Sequence, residues 1–315
     1  MNKYCFGIDV GGTSVKLGLF TIDGDVIDKW EISTRKDNGG EKILGDIADS
    51  LLKKLQEKGI SKDELEGIGL GVPGPVTDDG TVHTCVNLGW GIFNVAEELK
   101  KLTGINNIKV NNDANVAALG EMWKGGGEGY KNVVMITLGT GVGGGVIYDG
   151  KILTGITGAA GEIGHITVEF DEPDQCNCKK RGCLEQFASA TGIVKEAKRL
   201  LDQVDTPSKV RDLENITAKD IFDLAKSGDD LANQLVDRLG MYLGRVASHI
   251  AAVVDPEVFV IGGGVSKAGD ILTEVIEKHY NANVMLPLKN KEFRLAELGN
   301  DAGIYGSAKM VIGEN

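Results

Sequence analysis

The sequence predicts an α/β protein with two sheets and two domains, the second repeating the plan of the first. Three observations predict it. Short apolar strands alternate with segments whose apolar residues recur at helical spacing. Two hairpins with glycine-and-threonine tips, at Asp9–Thr13 and Gly139–Gly145, stand far apart in the chain, as though one architecture were used twice. With 315 residues, 42% of them hydrophobic, the chain is long enough to bury two cores.

In order, Lys3–Asp9 reads as a strand, Gly11 and Gly12 turn it, and Ser14–Phe20 returns beside it. Asp25–Ser33 is a third strand. Ile43, Leu44, Ile47, Leu51, Leu52 and Leu55 then share one helical face that ends at Gly59. Gly67–Val72 is a short buried strand, stopped by Pro73-Gly74-Pro75. After a long loop holding Asn87–Trp90, Asn94 is expected to cap a helix that runs to Leu102. Ile108–Asn111 is a strand, and Asn112 and Asp113 sit where it turns into the helix Ala114–Trp123. The plan then repeats with the strand Val133–Leu138, the turn Gly139-Thr140-Gly141 and the return Gly144–Tyr148. Gln186–Leu201, Ala218–Lys226 and Leu231–Val254 read as helices. Val258–Ile261 is a buried strand running into Gly262-Gly263-Gly264, Ser266 opens another helix, and Asp301–Ile312 closes the chain. The expected domains are 1–112 plus 302–315, small, and 113–301, larger.

Composition removes several function classes. Lys plus Arg number 34 against 46 Asp plus Glu, a net charge of −12, which argues against nucleic acid or an anionic membrane as partner. A phosphate ligand must then be held by local backbone geometry. No apolar run is long enough to span a bilayer, and the N-terminus enters a strand without a signal-peptide pattern. Five cysteines, an odd number, fit a reducing cytoplasm.

Three of those cysteines lie in the segment 161–185, GEIGHITVEFDEPDQCNCKKRGCLE. His165, Cys176, Cys178 and Cys183 make a three-sulfur, one-nitrogen set that suits a tetrahedral, structural Zn²⁺. The C-x-C spacing requires a turn, since neighbours on a strand face opposite sides. Ordinary buried thiols would sit among apolar residues, whereas these sit among Asp, Gln, Asn, Lys and Arg. The metal would fix Glu162 and Glu185 at the segment's ends. Its loss is expected to loosen both, and to disturb the glycine turns much less.

Those turns are Asp9–Thr13, Gly139–Gly145 and Gly262–Gly264, each after a strand. Backbone N–H groups in such turns bind phosphate oxygens with no side chain in the way, so Gly11, Gly12, Thr13, Gly139, Thr140, Gly141, Gly262, Gly263 and Gly264 are candidate nucleotide contacts. None is a Walker A loop, because no G-K-[ST] follows. Asp9 is placed to hold Mg²⁺ through water. Lys16 is either a phosphate contact or a solvated hairpin lysine. Asp113 is either a helix cap or a general base that takes a proton from a substrate hydroxyl. Asn112, Asp113, Glu162, His165 and Glu185 form an acceptor-rich set suited to sugar hydroxyls; alternatively, the glutamates only support the metal loop.

GIDVGGTSVK (7–16), NNDANVAALGE (111–121), LGTGVGGG (138–145), GAAGEIGH (158–165), CNCKKRGCLE (176–185) and IGGGVS (261–266) together resemble the ROK family (repressor, open reading frame, kinase), most closely its bacterial glucokinases. The resemblance spans nearly the whole chain. It implies a duplicated actin-like ATPase fold, ribonuclease H-like in each half, with two domains around a cleft. It implies ATP with Mg²⁺ across the glycine turns, a hexose held by Asn112, Glu162, His165 and Glu185, and Asp113 as base on the 6-hydroxyl. The product would be glucose 6-phosphate. Mannose, fructose, allose or an N-acetylhexosamine are alternative substrates within the family, and dimers are common in it, so a homodimer or homotetramer is expected. The family's repressors carry a helix-turn-helix before the first phosphate turn, which here begins at Asp9. A non-enzymatic sugar sensor is therefore disfavoured, as is an actin-like filament protein, which needs neither the metal set nor the glutamates. One residue departs from the family pattern: Lys179 stands where many members have glycine.

Overall fold

The computed structural model describes residues 3–312. The chain starts with β1 (Tyr4–Val10), β2 (Ser14–Thr21) and β3 (Val26–Ser33), an antiparallel meander in which Asp9 pairs with Lys16. A single turn, α1 (Asp37–Gly40), precedes α2 (Ile43–Lys58), whose Ile43, Leu44, Ile47, Leu51 and Leu55 are buried as their spacing predicts. Then come β4 (Leu65–Val72), the short pair β5 (Thr81–Val82) and β6 (Phe93–Asn94), and α3 (Val95–Thr103). Asn94 caps α3 as expected, its side chain accepting from the Glu97 N–H at 2.9 Å. β7 (Ile108–Asn112) leads without a loop into α4 (Asp113–Lys124).

The second series opens with β8 (Val133–Leu138), β9 (Val142–Tyr148) and β10 (Lys151–Ile152). Four helices follow: α5 (Glu185–Ala188), α6 (Ala190–Gln203), α7 (Ala218–Lys226) and α8 (Asp230–Val254). β11 (Val258–Gly262), α9 (Asp270–Asn283), β12 (Glu292–Leu295) and α10 (Ala302–Val311) complete the chain. The two sheets have the orders β3-β2-β1-β4-β7 and β10-β9-β8-β11-β12. In each, the first strand of the series is central, and the last two strands run parallel to it. The duplication expected from the two hairpin tips is thus present strand for strand.

Two expected helices differ. Gln186–Leu201 is broken at Ser189, which is extended (φ −81°, ψ 173°) and starts α6 by accepting from the Gly192 N–H at 2.9 Å. Ser266 lies in a 3₁₀ turn, Gly264–Ala268, and the helix proper begins at Asp270. In both places serine bonds to nearby backbone and competes with the helix.

The chain forms two compact units: Met1–Gly129 with Gly145–Gly161 and Leu298–Asn315, and Tyr130–Gly144 with Glu162–Glu297. The first extends beyond the expected boundary at 112/113 because α4 packs along α10, and α10 packs on β1 and β4. That packing is backbone on backbone. A Cβ at Gly69 would lie 1.6 Å from the Ser307 carbonyl oxygen, and one at Gly7 would lie 1.9 Å from that of Ile304. Among the described residues no helix is long and apolar enough to cross a membrane.

Candidate functional site

In the first unit, Asp9 is the next-to-last residue of β1, and the turn after it is pinned from just beyond β3. The Gly11 N–H donates to the Ser14 carbonyl at 3.0 Å, and the Thr34 hydroxyl donates to the Gly11 carbonyl at 2.7 Å. α10 starts so close to Asp9 that a Cβ at Gly303 would lie 2.7 Å from its carboxyl carbon. Burial, then the neighbouring charge of Asp113, push the Asp9 carboxyl up to about 6, against the opposing pull of Lys16. The Lys16 ammonium donates to the Asn300 carbonyl at 3.0 Å.

The cap of α4 is Asn112, not Asp113. The Asn112 side-chain oxygen accepts from the Ala114 N–H at 2.9 Å and the Asn115 N–H at 3.2 Å, while its amide donates to the Gly74 carbonyl at 3.2 Å. Asp113 is the first helical residue, its Oδ1 accepting from the Ala114 N–H at 2.8 Å. Beneath them, buried Asn111 donates to the Thr154 hydroxyl at 3.2 Å and accepts from the Asn115 side chain at 3.1 Å. The N-N-D-A-N run therefore splits its tasks between an anchor, a cap and one carboxylate at a helix start.

In the second unit, the ligand atoms of His165, Cys176, Cys178 and Cys183 all lie within 4.8 Å of one another. Cys178 and Cys183 sulfurs are 3.5 Å apart, and Cys176 sulfur lies 3.8 Å from His165 Nδ1. Four ligands around Zn²⁺ at Zn–S of about 2.3 Å stand about 3.8 Å apart, so the set fits the ion. Cys176 and Cys178 lie on the tight turn that the C-x-C spacing requires, closed by the Lys179 N–H donating to the Cys176 carbonyl at 2.9 Å. Lys179 has φ 71°, the left-handed backbone that glycine adopts freely, so the turn keeps its glycine-like shape despite the lysine. Gly182 faces a harder limit, because a Cβ there would lie 1.5 Å from the Glu169 carbonyl oxygen.

His165 turns Nδ1 to the sulfurs and Nε2 toward Glu162, 4.0 Å from its carboxylate. Glu185 reaches toward the second glycine turn. Its Oε2 accepts from the Val142 N–H at 3.1 Å, beneath the turn Gly139–Gly141, and its Oε1 lies 3.7 Å from Cys176 sulfur. The start of α6 reaches the same turn. The Ala190 N–H donates to the Gly139 carbonyl at 2.8 Å, and the Thr191 hydroxyl to the Thr140 carbonyl at 2.7 Å. Glu172, buried and held down to about 2 chiefly by Arg199, fastens the cysteine loop to α6.

The third turn borders a pocket of about 340 Å³ lined by Ala190, Ala218, Phe222, Gly264 and Val265. Its apolar lining and its position beside two glycine turns suit a flat heterocycle. No motif in the sequence marks it. The signal available was the apolar face of Ala218–Lys226, which does not point to a ligand by itself.

A strand order used twice, with a glycine turn at each central hairpin, is the plan of the actin-like ATPases. The chain belongs to the ROK family, whose model matches residues 5–314. It is 46% identical to the glucokinase of Halalkalibacterium halodurans over 98% of this chain and 95% of that one. Among solved structures it resembles the ROK hexokinase of Thermus thermophilus, 30% identical, TM-score 0.80, covering 97% of this chain and 96% of the other. It also resembles the ROK family glucokinase of Streptomyces griseus solved with glucose and AMPPNP, 30% identical, TM-score 0.74, covering 98% of each.

Proposed function

We propose that this chain is an ATP-dependent glucokinase that transfers the terminal phosphoryl group of ATP to the 6-hydroxyl of glucose. The observation that carries the reading is the 46% identity, end to end, with a glucokinase. In-line phosphoryl transfer asks mainly for positioning and charge compensation, with one base for the hydroxyl proton. We assign that base to Asp113, since Asn112 already caps the helix. Asp9, whose proton is held to about pH 6 by burial and by Asp113, is a carboxylate that a cation would relieve, which suits a place near nucleotide-bound Mg²⁺.

Gly11–Thr13, Gly139–Gly141 and Gly262–Gly264 would supply phosphate contacts, and the pocket of Phe222 and Val265 would take the base. Glu162, His165, Glu185 and Asn112 would hold sugar hydroxyls, with Lys16 steadying Asn300 at the entry to α10. His165, Cys176, Cys178 and Cys183 would hold a structural Zn²⁺ whose contribution is to order the loop. All five cysteines are free thiols, which suits a cytoplasmic enzyme, and a homodimer or homotetramer is the expected assembly.

The test is a coupled assay against a panel of hexoses. Glucose should exceed N-acetylglucosamine and N-acetylmannosamine by roughly tenfold or more in kcat/KM, about 1.4 kcal/mol. An N-acetylhexosamine turned over as well as glucose would sink the substrate assignment and leave the kinase class standing.

A further inference from the structure

We propose that Glu185 is a positioning residue tying the thiol–imidazole cluster to the glycine turn Gly139–Val142, so that metal held in the cluster sets how well this turn binds nucleotide. The proposal rests on the kinase reading and adds to it a coupling that runs opposite to the expectation of independent turns.

Three hydrogen bonds from one short segment define the turn. The Glu185 carboxylate takes the Val142 N–H, the Ala190 N–H takes the Gly139 carbonyl, and the Thr191 hydroxyl takes the Thr140 carbonyl. The carboxylate fills the space under the turn: a Cβ at Gly141 would lie 2.0 Å from Glu185 Oε2. The segment itself is stiff. The Ser189 hydroxyl donates to the Glu185 carbonyl at 2.7 Å and accepts from the Gly192 N–H, which locks the break between α5 and α6.

The other end of the segment is the cluster. Cys183 is two residues before Glu185, its N–H donates to the Gln186 side chain at 3.1 Å, and the Leu184 N–H donates to the Ile166 carbonyl at 2.9 Å. Glu185 Oε1 also faces Cys176 sulfur at 3.7 Å. Four ligands from three short stretches are crosslinked by a bound ion, whereas without it residues 176–185 are held by hydrogen bonds and packing alone. Slack at Cys183 is passed to Glu185 and to Ala190 and Thr191, and these hold the turn whose N–H groups must face phosphate. Glycines give the turn little stiffness of its own.

The experiment measures Mg²⁺-ADP affinity by calorimetry, without sugar, alongside zinc content on the same preparations. The proteins are the zinc-loaded wild type, the chelator-stripped wild type, Cys176→Ser, Glu185→Ala, Glu185→Gln and the double variant Cys176→Ser/Glu185→Ala. Stripping, Cys176→Ser and Glu185→Ala should each weaken ADP by roughly tenfold, the scale of one charge-assisted hydrogen bond. Adding zinc should restore the stripped wild type and not Cys176→Ser. The double variant should be no weaker than either single one, because both remove one linkage. Glu185→Gln keeps an acceptor for the Val142 N–H and should retain affinity within about threefold.

ADP affinity within twofold of wild type after stripping, additive losses in the double variant, or a Gln variant as weak as the Ala variant would each overturn the proposal. Loss of folding in Cys176→Ser does not confound it, since stripping and reloading the wild type tests the metal and Glu185→Gln against Glu185→Ala tests the tie. A loaded wild type that neither binds ADP nor transfers phosphate would fail the kinase reading itself, a separate result.

Discussion

Asp9→Asn isolates what the protein gives up to keep a carboxylate under its first glycine turn. The Asp9 carboxyl rises from 3.8 in a free chain to about 6 in the folded protein, first through burial and second through Asp113. The folded state therefore holds this proton more tightly than the unfolded state does. The contribution of Asp9 to stability falls as pH rises from about 3.8 to 6 and is level above that. A shift of that size corresponds to about 3 kcal/mol at pH 8 and roughly half of that at pH 5, with little left at pH 3.5. Asn has no ionisation, so the variant should gain on wild type by these margins while losing phosphoryl transfer. The assay is urea unfolding of both proteins at pH 4, 5, 6.5 and 8 in buffer free of nucleotide and divalent cations. The informative quantity is the change of the gap with pH, since any fixed packing cost of Asn cancels. A gap that is flat from pH 4 to 8, or that shrinks as pH rises, would refute the reasoning.

Asp113→Asn should fold normally, because Asn112 makes the cap bonds, and should lose roughly 10²-fold or more in kcat in the coupled assay. A variant retaining a tenth of wild-type turnover would remove Asp113 from the base role. Lys179→Gly should relieve the left-handed backbone at φ 71° and raise stability by about 1 kcal/mol, less the greater freedom that glycine has when unfolded. The readout is the thermal midpoint of the zinc-loaded protein, and no rise would show that the turn tolerates lysine without strain.

The amino-acid sequence by itself determined the alternation of strands and helices, the two hairpin tips and the metal set. These are local signals: burial at spacings of two or 3.6 residues, glycine where backbone must turn, and thiols in polar surroundings. Asn94 over Glu97 and the C-x-C turn follow from rules spanning three or four residues, and both are present as expected. Tertiary structure decided what depends on distant parts of the chain meeting. The short strands β10 and β12 have too few residues for a periodic pattern and exist because β9 and β11 offer edges to pair with. Asn112 rather than Asp113 caps α4, a choice between adjacent side chains that spacing does not make. The break at Ser189 reads as continuous helix until the Gly139 carbonyl, some fifty residues away in sequence, accepts the Ala190 N–H. Glu185 is the sharpest case. Its spacing from Cys183 marks it as part of the metal segment, but only the folded unit brings Val142 above its carboxylate, because a hydrogen bond's partner is set by proximity in space and not along the chain.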